Sequence, residues 1–300
     1  MSSYLQEKIN NSFSYIPLRA TSPYSLLQGA VTMDKISQNC LDYNIPAVAI
    51  VDNNNLFGAL EFCEHMSHKG IQPIIGLDVD FISKLKHKSR LTFLCKNNIG
   101  FKNLSILSTK INTENEFHLS LDNINNFSEG NILILGGLFS YFQDLNINTN
   151  NLKIILDEIN ALKNFFKNDV FFEFDENLDN KPLNEISKKS KINSFLSSFS
   201  FYKQDKDYDA IKILHCLKNG EYLQNTSFNL KNNYSLAKNY QENNNLKSLI
   251  QNSNLIANKI NFLIEEKPIT LPNFKSDFDS DEDKEIVKQS RSGLDLRLKK

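Results

Sequence analysis

Short apolar runs alternate with amphipathic stretches along the first two hundred residues. The stretch TMDKISQNCLDYN (32–44) has its apolar residues at helical spacing behind Thr32, a residue type that caps helix N-termini. The next run, PAVAIVD (46–52), is continuously apolar and ends in an acid, which is typical of a strand buried on both faces. The pattern predicts a helix followed by a buried strand.

The same alternation continues to about residue 200. It predicts helices over 56–70, 100–111, 152–166 and 181–190, and strands over 71–81, 90–96, 131–137, 169–175 and 193–202. Repeated strand–helix units predict a mostly parallel sheet with helical crossovers, either closed as a barrel or open. Closed barrels carry their chemistry in loops at the strand C-termini. The positions of interest are therefore Asp52, Asp78, Glu173 and the segment 198–202.

Beyond about residue 205 the pattern becomes helical, over DYDAIKILHCLKNG and NNNLKSLIQNSNLIANKINFLI. An acidic connector that contains proline follows, EEKPITLPNFKSDFDSDEDKE. The last stretch, EIVKQSRSGLDLRLKK, is another helical pattern that stops without a partner. This ending indicates a piece of a longer protein.

Composition narrows the class of protein. The 300 residues carry a net charge of -1, so no global basic field points to nucleic acid. No signal peptide and no apolar run of about 18 residues is present, and we expect a soluble, cytoplasmic protein. The four cysteines are widely separated and form no C-x-x-C pair. Two disulfides are conceivable in an oxidising compartment, but buried reduced thiols are the favoured interpretation.

Two candidate metal motifs are weak. His65 and His68 lie three residues apart on one predicted helix, but no third ligand follows nearby, and solvent-facing side chains are the favoured interpretation. DFDSDED (277–283) resembles the start of a calcium loop, yet its sixth position is Glu282 instead of Gly and its twelfth is Lys288 instead of Glu. We expect an acidic linker and a helix N-terminus there.

Other catalytic signatures are missing from the sequence. No histidine is placed to serve Ser22 or Ser25 as a base, and neither a P-loop nor a G-x-G-x-x-G segment occurs. The residue types alone therefore indicate only an α/β protein with acids at its strand ends.

A long ordered series of segments carries a family resemblance. IPLRATSPYSLLQGA, followed by IPAVAIVDNNNLFGALEFCEHMSHKGIQPIIGLDV, resembles the N-terminal region of bacterial replicative DNA polymerase III alpha subunits, their polymerase-and-histidinol-phosphatase (PHP) domain. Further matching segments are RLTFLCKNNIGFKNLSILST, FFEFDEN, FLSSFSFYKQDKDYDAIKILHCLKNG and LPNF. The resemblance implies an α/β fold: an irregular (β/α)7-type PHP barrel with additional helices over 1–270. A linker and the first helix of a polymerase palm would follow over 271–300.

The resemblance also implies a degenerate metal site. Metal-bearing PHP domains hold a trinuclear cluster at the strand C-termini. Three acids of that ligand set remain: Asp52, Asp78 and Glu173. The lost ligand positions are Pro17, Arg19, Thr21, Asn53, Asn177, Phe199 and Phe201. Phenyl rings offer no donor, and three acids without imidazole make a poor transition-metal site. We therefore expect neither a metal, nor another cofactor, nor a catalytic residue in this chain.

The expected function follows from the family. We expect a non-catalytic scaffold module of a polymerase whose full-length form performs DNA-templated DNA synthesis with Mg²⁺ in its palm. The expected partners are the proofreading exonuclease subunit, the sliding clamp and the clamp loader, with DNA bound mainly by other domains and no membrane. One alternative is an active metal-dependent phosphoesterase or 3′–5′ exonuclease with Asp52, Asp78 and Glu173 as ligands. Another is a free-standing protein of this length.

Two structural expectations concern the former metal site. Arg19 should lie near Asp52, Asp78 or Glu173, because one guanidinium can neutralise carboxylates that ions once bridged. Phe199 and Phe201 alternate on a strand, so both rings should face one side and either fill the vacated site or form a docking patch.

Overall fold

The chain divides into two compact units, Met1–Ile264 and Glu265–Lys300. The computed structural model describes residues 15–137, 140, 149–175, 179–197, 208–223, 247–264 and 281–299. The predicted boundary near residue 270 falls outside these ranges. The assignment of the second unit to a polymerase palm stays a prediction.

One curled sheet forms the centre of the first unit. Its strands are β1 (Ala47–Asn53), β2 (Gln72–Ile82), β3 (Lys88–Cys95), β4 (Leu119–Ser120), β5 (Asn131–Gly136), β6 (Val170–Asp175) and β7 (Ser194–Ser197). The order is β1-β2-β3-β5-β6-β7, and β4 pairs with β2. Among the described residues β1 and β7 are the two edges of this order, so the described part of the sheet is a half-barrel.

The prediction of a mostly parallel sheet is confirmed, with β3 as the exception. β3 runs antiparallel to both β2 and β5, whereas the remaining pairs are parallel. A tight turn causes the reversal: Ser83 N donates to the carbonyl of His87 at 3.1 Å, and Lys86 has a left-handed backbone with φ +59°. A turn this short leaves no room for the helix that a parallel crossover needs.

Helices cover the outer face of the sheet or follow it in the chain. They are α1 (Met33–Asp42), α2 (Ala59–His68), α3 (Asn98–Thr113), α4 (Thr149–Phe165), α5 (Lys181–Ser190), α6 (Tyr208–Asn219), α7 (Lys247–Asn258) and α8 (Glu282–Leu298). Thr32 caps α1 as predicted, its side chain accepting from Lys35 N, and Gly70 follows α2 with φ +69°. Asp281 caps α8, and Glu282, Asp283 and Glu285 lie in its first turn, which confirms a helix N-terminus in the acidic segment.

Two apolar layers lie on the two faces of the sheet. The outer layer packs under α1 to α5. The inner layer comprises Ala47, Ala49, Val51, Ile74, Leu94, Ile132, Ile134, Phe171 and Phe195 from the strands, with Ile16, Leu18, Ile256, Ala257 and Ile260. The last three come from α7 and the residues after it, so this late segment belongs to the barrel core.

Hydrogen bonds fix α7 at the end of the sheet where the parallel strands begin. Asn252 Nδ2 donates to the carbonyl of Ser194 at 2.7 Å, and Gln72 Nε2 donates to that of Ile260 at 3.1 Å. Asn261 N donates to the carbonyl of Lys96 at 3.0 Å. The opposite end, where the parallel strands finish, is the barrel mouth.

The cysteine prediction is confirmed: Cys40, Cys63, Cys95 and Cys216 are buried and free. Burial raises the pKa of the Cys40 thiol to about 12, which keeps it protonated and inert. In the described part of the chain, no helix has both the length and the apolarity needed to cross a bilayer.

Candidate functional site

Strand alternation places three polar side chains on the inner face at the barrel mouth. Asp78, Thr92 and Glu173 are each an even number of residues away from an inner-layer residue of the same strand. Their side chains therefore face the inner side of the sheet. The extended segment before Thr21 runs beside β1, with Ala49 N donating to the carbonyl of Pro17 at 2.8 Å and Ala20 N to that of Ala49 at 3.0 Å. This segment delivers Arg19 to the same space.

Arg19 joins two of the three retained acids. Its Nη1 donates to both carboxylate oxygens of Asp78, at 2.8 and 2.7 Å. Its Nε donates to Glu173 Oε2 at 2.8 Å, and Nη2 lies 2.8 Å from the same oxygen. The prediction that Arg19 lies near the retained acids is confirmed for Asp78 and Glu173.

This ion cluster is enclosed. The side chains of Arg19 and Asp78 are each 4% exposed, and that of Glu173 is 0% exposed. Burial alone would lower the pKa of Arg19, but the neighbouring Asp78 and Glu173 carboxylates outweigh it and raise the pKa. Burial raises the pKa of Glu173 despite the Arg19 guanidinium, and Glu173 Oε1 has no hydrogen-bond partner among the residues that the structure describes. Arg19 therefore keeps its positive charge, whereas the guanidinium offsets only part of the cost of burying the Glu173 carboxylate.

Asp52 is held apart from this cluster. Alternate residues of a strand face the same side, so Asp52 lies on the same face of β1 as Val48 and Ile50. Those two residues belong to the outer layer. Its carboxylate accepts from Ser22 N at 2.9 Å, from Ser22 Oγ at 2.7 Å and from Ser25 Oγ at 2.6 Å. Burial raises the pKa of Asp52, although the hydrogen bonds from Ser25 and Ser22 act in the opposite direction.

Among the described residues, Asp52 shares no hydrogen-bond donor with Asp78 or Glu173, although the Asp78 charge also raises the pKa of Asp52. Ser22 and Ser25, which the sequence offered only as nucleophiles without a base, donate hydrogen bonds to Asp52. These bonds hold the turn that contains both serines against the end of β1. Their spacing gave no signal of that role, because the contact spans about thirty residues of chain.

The other positions where the resemblance implies lost ligands have ordinary structural roles where they are described. Pro17 and Thr21 are buried in the segment beside β1. Asn53 N donates to Ser25 Oγ at 2.9 Å, and Asn53 Oδ1 is buried with no hydrogen-bond partner in the described part of the chain. Asn177, Phe199 and Phe201 lie outside the described residues. The prediction that the two rings fill the vacated site stays a prediction.

Sequence reasoning missed two residues of the mouth. Thr92 Oγ1 accepts a hydrogen bond from Arg19 Nη2 and donates one to Asp78 Oδ1, so it orients both ions. Gly137, with φ +76°, lies against the carboxylate of Glu173, where an added Cβ would overlap Oε2 and come within 3.5 Å of Arg19 Nη2. The two consecutive glycines at the end of β5 were the available signal for Gly137, since strand-end glycines often mark close approach.

The donor set does not fit the transition-metal cluster of the family. Both oxygens of Asp78 and one of Glu173 are bonded to Arg19, and Asp52 is bonded to serines. Within the described ranges, no group of three His, Cys, Asp or Glu side chains is arranged to hold a metal ion. A guanidinium at this position also repels any cation placed beside it.

The predicted solvent-facing histidine pair is corrected in part. His68 is exposed, but the His65 side chain is only 26% exposed, and its Nε2 lies 3.1 Å from Ser37 Oγ and 3.2 Å from Asp34 Oδ1. Ser37 Oγ donates to the carbonyl of Asp34, so its proton is not available to His65. This arrangement is a structural link between α1 and α2 and lacks the geometry of a catalytic triad.

Comparison with known proteins defines the class. Residues 17–177, more than half of the chain, match the PHP domain. The chain belongs to the PHP domain family.

The curated relatives share one protein name. The chain is similar to proteins named DNA polymerase III subunit alpha. The one from Chlamydia pneumoniae is 33% identical over 173 residues, which are 53% of this chain and 14% of that protein. The one from Buchnera aphidicola subsp. Acyrthosiphon pisum is 29% identical over 309 residues, 96% of this chain and 26% of that protein. The chain spans about a quarter of such a relative, and the resemblance noted from the sequence is confirmed.

A comparison of folds adds one solved structure. An amidohydrolase from Chromobacterium violaceum superposes with a TM-score of 0.42 and 11% identity, over 67% of this chain and 97% of that one.

Proposed function

We propose that the chain is the PHP module of a replicative DNA polymerase III alpha subunit, and that this module is a non-catalytic scaffold. The observation that carries the proposal is the enclosed contact of Arg19 with Asp78 and Glu173. Metal-dependent phosphoester hydrolysis needs a bound ion that activates water. Here the retained acids are bonded to a guanidinium and to hydroxyls instead.

The same contact supports a structural role. Arg19 lies on the segment beside β1 and bonds to β2 and β6, which β3 and β5 separate in the sheet. One side chain thus links three distant parts of a curled sheet, as bridging metal ions do in metal-bearing PHP domains. Removing one member of such a buried link leaves uncompensated charge, so the curvature of the mouth depends on keeping all three members.

The wider function is proposed from the relatives. The full-length protein would carry out DNA-templated DNA synthesis with Mg²⁺ in a palm domain, in the cytoplasm. The module would support the polymerase core and dock the proofreading exonuclease subunit, alongside a sliding clamp and clamp loader that engage the parent. The sequence of the gene beyond Lys300 tests whether the palm and its metal-binding acids follow.

Metal content and hydrolysis test the scaffold role. The purified chain, dialysed against Zn²⁺, Mn²⁺ or Mg²⁺ and then against buffer, should retain less than stoichiometric metal by elemental mass spectrometry. It should not hydrolyse bis-p-nitrophenyl phosphate or shorten a 3′ DNA end. Stoichiometric metal together with hydrolysis that Asp78→Asn or Asp52→Ala abolishes would establish the alternative, an active phosphoesterase.

A further inference from the structure

Positive charge is concentrated where β2 turns into β3. Residues 81–113 contain seven Lys or Arg and no Asp or Glu, although the whole chain has a net charge of -1. The turn lies at the mouth end of the barrel, because β2 finishes there and β3 begins there. The even overall charge of the chain therefore conceals a local excess of cations beside the mouth.

Lys88 and Arg90 extend the inner face of β3 beyond the mouth. Each is an even number of residues away from the inner-layer residue Leu94, so their side chains face the same side of the sheet as the ion cluster. Two residues of a strand span about 7 Å, so these cations are neighbours. Arg90 lies opposite Asp80 in the β2–β3 register, and its Nε donates to Asp80 Oδ1 at 3.1 Å.

Helix α6 adds positive charge to the same surface. His215 and Arg90 meet at Gln28: the imidazole is hydrogen-bonded to the Gln28 backbone, and Arg90 Nη1 donates to Gln28 Oε1 at 3.4 Å. Lys218 follows His215 by three residues, and it lies close enough to Arg90 that partial burial and the Arg90 charge lower the pKa of Lys218. Strand β3 and helix α6 are thus continuous here, and we refer to Lys88, Arg90, His215 and Lys218 as the basic rim.

The carboxylates near the basic rim offset only part of its charge. Among the described residues, Asp80 is the one carboxylate that favours the charged form of Lys218, and it is already paired with Arg90. Partial burial, Lys218 and Arg90 lower the pKa of His215, and no carboxylate of the described ranges acts against them. In those ranges Lys88 and Lys218 form no ion pair. Three Lys or Arg side chains therefore share one carboxylate.

The acids on the far side of the turn belong to other surfaces. Glu158 of α4 is buried and accepts from Lys84 N at 2.6 Å, with the exposed Asp157 next to it in the chain. Asp122 follows β4, which pairs with β2 on the edge away from β3. These acids can offset lysines of the turn itself, so the excess of positive charge lies on the basic rim.

We propose that the basic rim binds the phosphodiester backbone of DNA beside the barrel mouth. A row of Lys and Arg across two elements suits a chain of phosphates, which it contacts one after another. Arg90 is already held by Asp80 and Gln28, so little side-chain freedom is lost on binding. Backbone contacts carry no sequence information, so this binding is independent of sequence. The inference deepens the function proposed above and rests on it, since that function places the chain in a protein that copies DNA.

Fluorescence anisotropy tests the contact with two labelled probes of about 20 nucleotides, a thymidine oligonucleotide and a duplex. The 300-residue chain should bind at least one of them, and the tighter complex identifies the form of DNA. Lys88→Gln and Lys218→Gln should each weaken binding about tenfold at about 50 mM salt and reduce the salt slope by about 1. Lys102→Gln, which removes an exposed lysine of α3, is the matched control and should change neither quantity.

Two further measurements locate the DNA and exclude misfolding. The melting temperatures of the variants should equal that of the wild type, because Lys88 and Lys218 are exposed. In nuclear magnetic resonance titrations, bound DNA should raise the pKa of His215, since phosphates beside the imidazole favour its charged form.

Four results would overturn the proposal: no binding of either probe, an equal loss in Lys102→Gln, an unchanged pKa of His215 in the complex, or displacement of the DNA by polyglutamate at equal charge. The last result would assign the basic rim to an acidic protein segment instead. These failures leave the scaffold role standing, because metal content and hydrolysis are measured separately. Bound metal with hydrolysis would instead refute the scaffold role whatever the DNA probes do.

Discussion

Two clusters of buried acid lie at the two faces of the same sheet, and they are compensated in different ways. On the inner face, Asp78 and Glu173 contact the Arg19 guanidinium. On the outer face, Asp52 contacts two serine hydroxyls and one backbone N–H, and no Lys or Arg of the described ranges bonds to it. Both clusters are nearly closed to solvent.

The difference shows what each cluster depends on. The Arg19 cluster is an ion network, in which removal of one member leaves a bare buried charge. The Asp52 cluster is a set of hydrogen bonds to one carboxylate, in which each donor can be lost at a smaller cost. The retained acids are therefore held in two ways, by an ionic link and by a hydrogen-bonded turn.

The largest expected effect is on Arg19. Arg19→Met leaves Asp78 and Glu173 buried without their cation, so we expect the free energy of unfolding to fall by about 3–5 kcal/mol in urea denaturation. Arg90→Met, which breaks the pair with the 66% exposed Asp80, is the matched control and should cost about 1 kcal/mol or less.

A triple variant sharpens this test. Arg19→Met combined with Asp78→Asn and Glu173→Gln removes the bare charges, and we expect it to recover part of the loss. If the triple variant is less stable than Arg19→Met alone, the charges are not what makes Arg19 necessary.

The next effect concerns the glycine beside Glu173. Gly137→Ala adds a Cβ that overlaps Glu173 Oε2 and also places alanine at φ +76°. Gly70→Ala is the control for backbone strain, because its φ is +69° and nothing lies within 4 Å of the added Cβ. We expect Gly137→Ala to cost about 1–3 kcal/mol more than Gly70→Ala in thermal or urea unfolding. Equal losses would mean that the carboxylate moves away freely.

The Asp52 cluster should respond to pH with a defined sign. Burial raises the pKa of Asp52 above its ordinary 3.8, so the folded state holds this proton more tightly than the unfolded chain does. Its contribution to stability is therefore fully present below about pH 3.8 and is lost as the pH rises through the folded pKa. Asp52→Asn does not titrate, and its stability relative to the wild type should increase with pH across that window.

Urea unfolding of both proteins from about pH 3.5 to about pH 8, a range that begins near the ordinary carboxyl pKa, measures this difference. Ser25→Ala is the matched probe of the hydrogen bonds, since it removes one donor and leaves the carboxylate. A relative stability of Asp52→Asn that falls with pH would show that the serine bonds outweigh burial.

The smallest effect is expected at the opposite end of the barrel. Asp169 is bonded there to Lys96 and, at 2.6 Å, to Lys259. Burial alone would raise the pKa of Asp169, but the hydrogen bonds from the two lysines lower it. Because the Lys259 side chain is 42% exposed, Lys259→Met should cost about 1 kcal/mol or less.

The sign of this effect with pH is opposite to that of Asp52. Asp169 contributes stability above its unfolded pKa and loses it as the pH falls through the lower folded pKa. The cost of Lys259→Met should therefore shrink in acid, and a cost that grows in acid would contradict the assignment. Lys110→Met, at the exposed pair with Glu114, is the control and should show little change.

Several features of this protein are determined by its sequence alone. Apolar periodicity located the helices and strands that the structure describes, because side-chain burial repeats with the period of each element. It missed the two-residue β4 and the 3-10 helix Ile124–Phe127, which are too short to show a period. The absence of imidazoles from the positions where the family resemblance implies ligands could also be read directly, since a missing donor needs no geometry to recognise.

Only the tertiary structure decided how the retained acids are compensated. The six residues before Asp52 are all apolar, so the pattern cannot tell which face Asp52 occupies, and the pairing of Asp52 with Leu77 of the outer layer settles it. The pairing of Arg19 with Asp78 and Glu173 joins residues 59 and 154 positions apart, and no local pattern encodes such a contact. The direction of β3 likewise follows from a short turn. These features depend on contacts between residues far apart in the chain. Sequence patterns predict which positions are buried but not which buried residues meet.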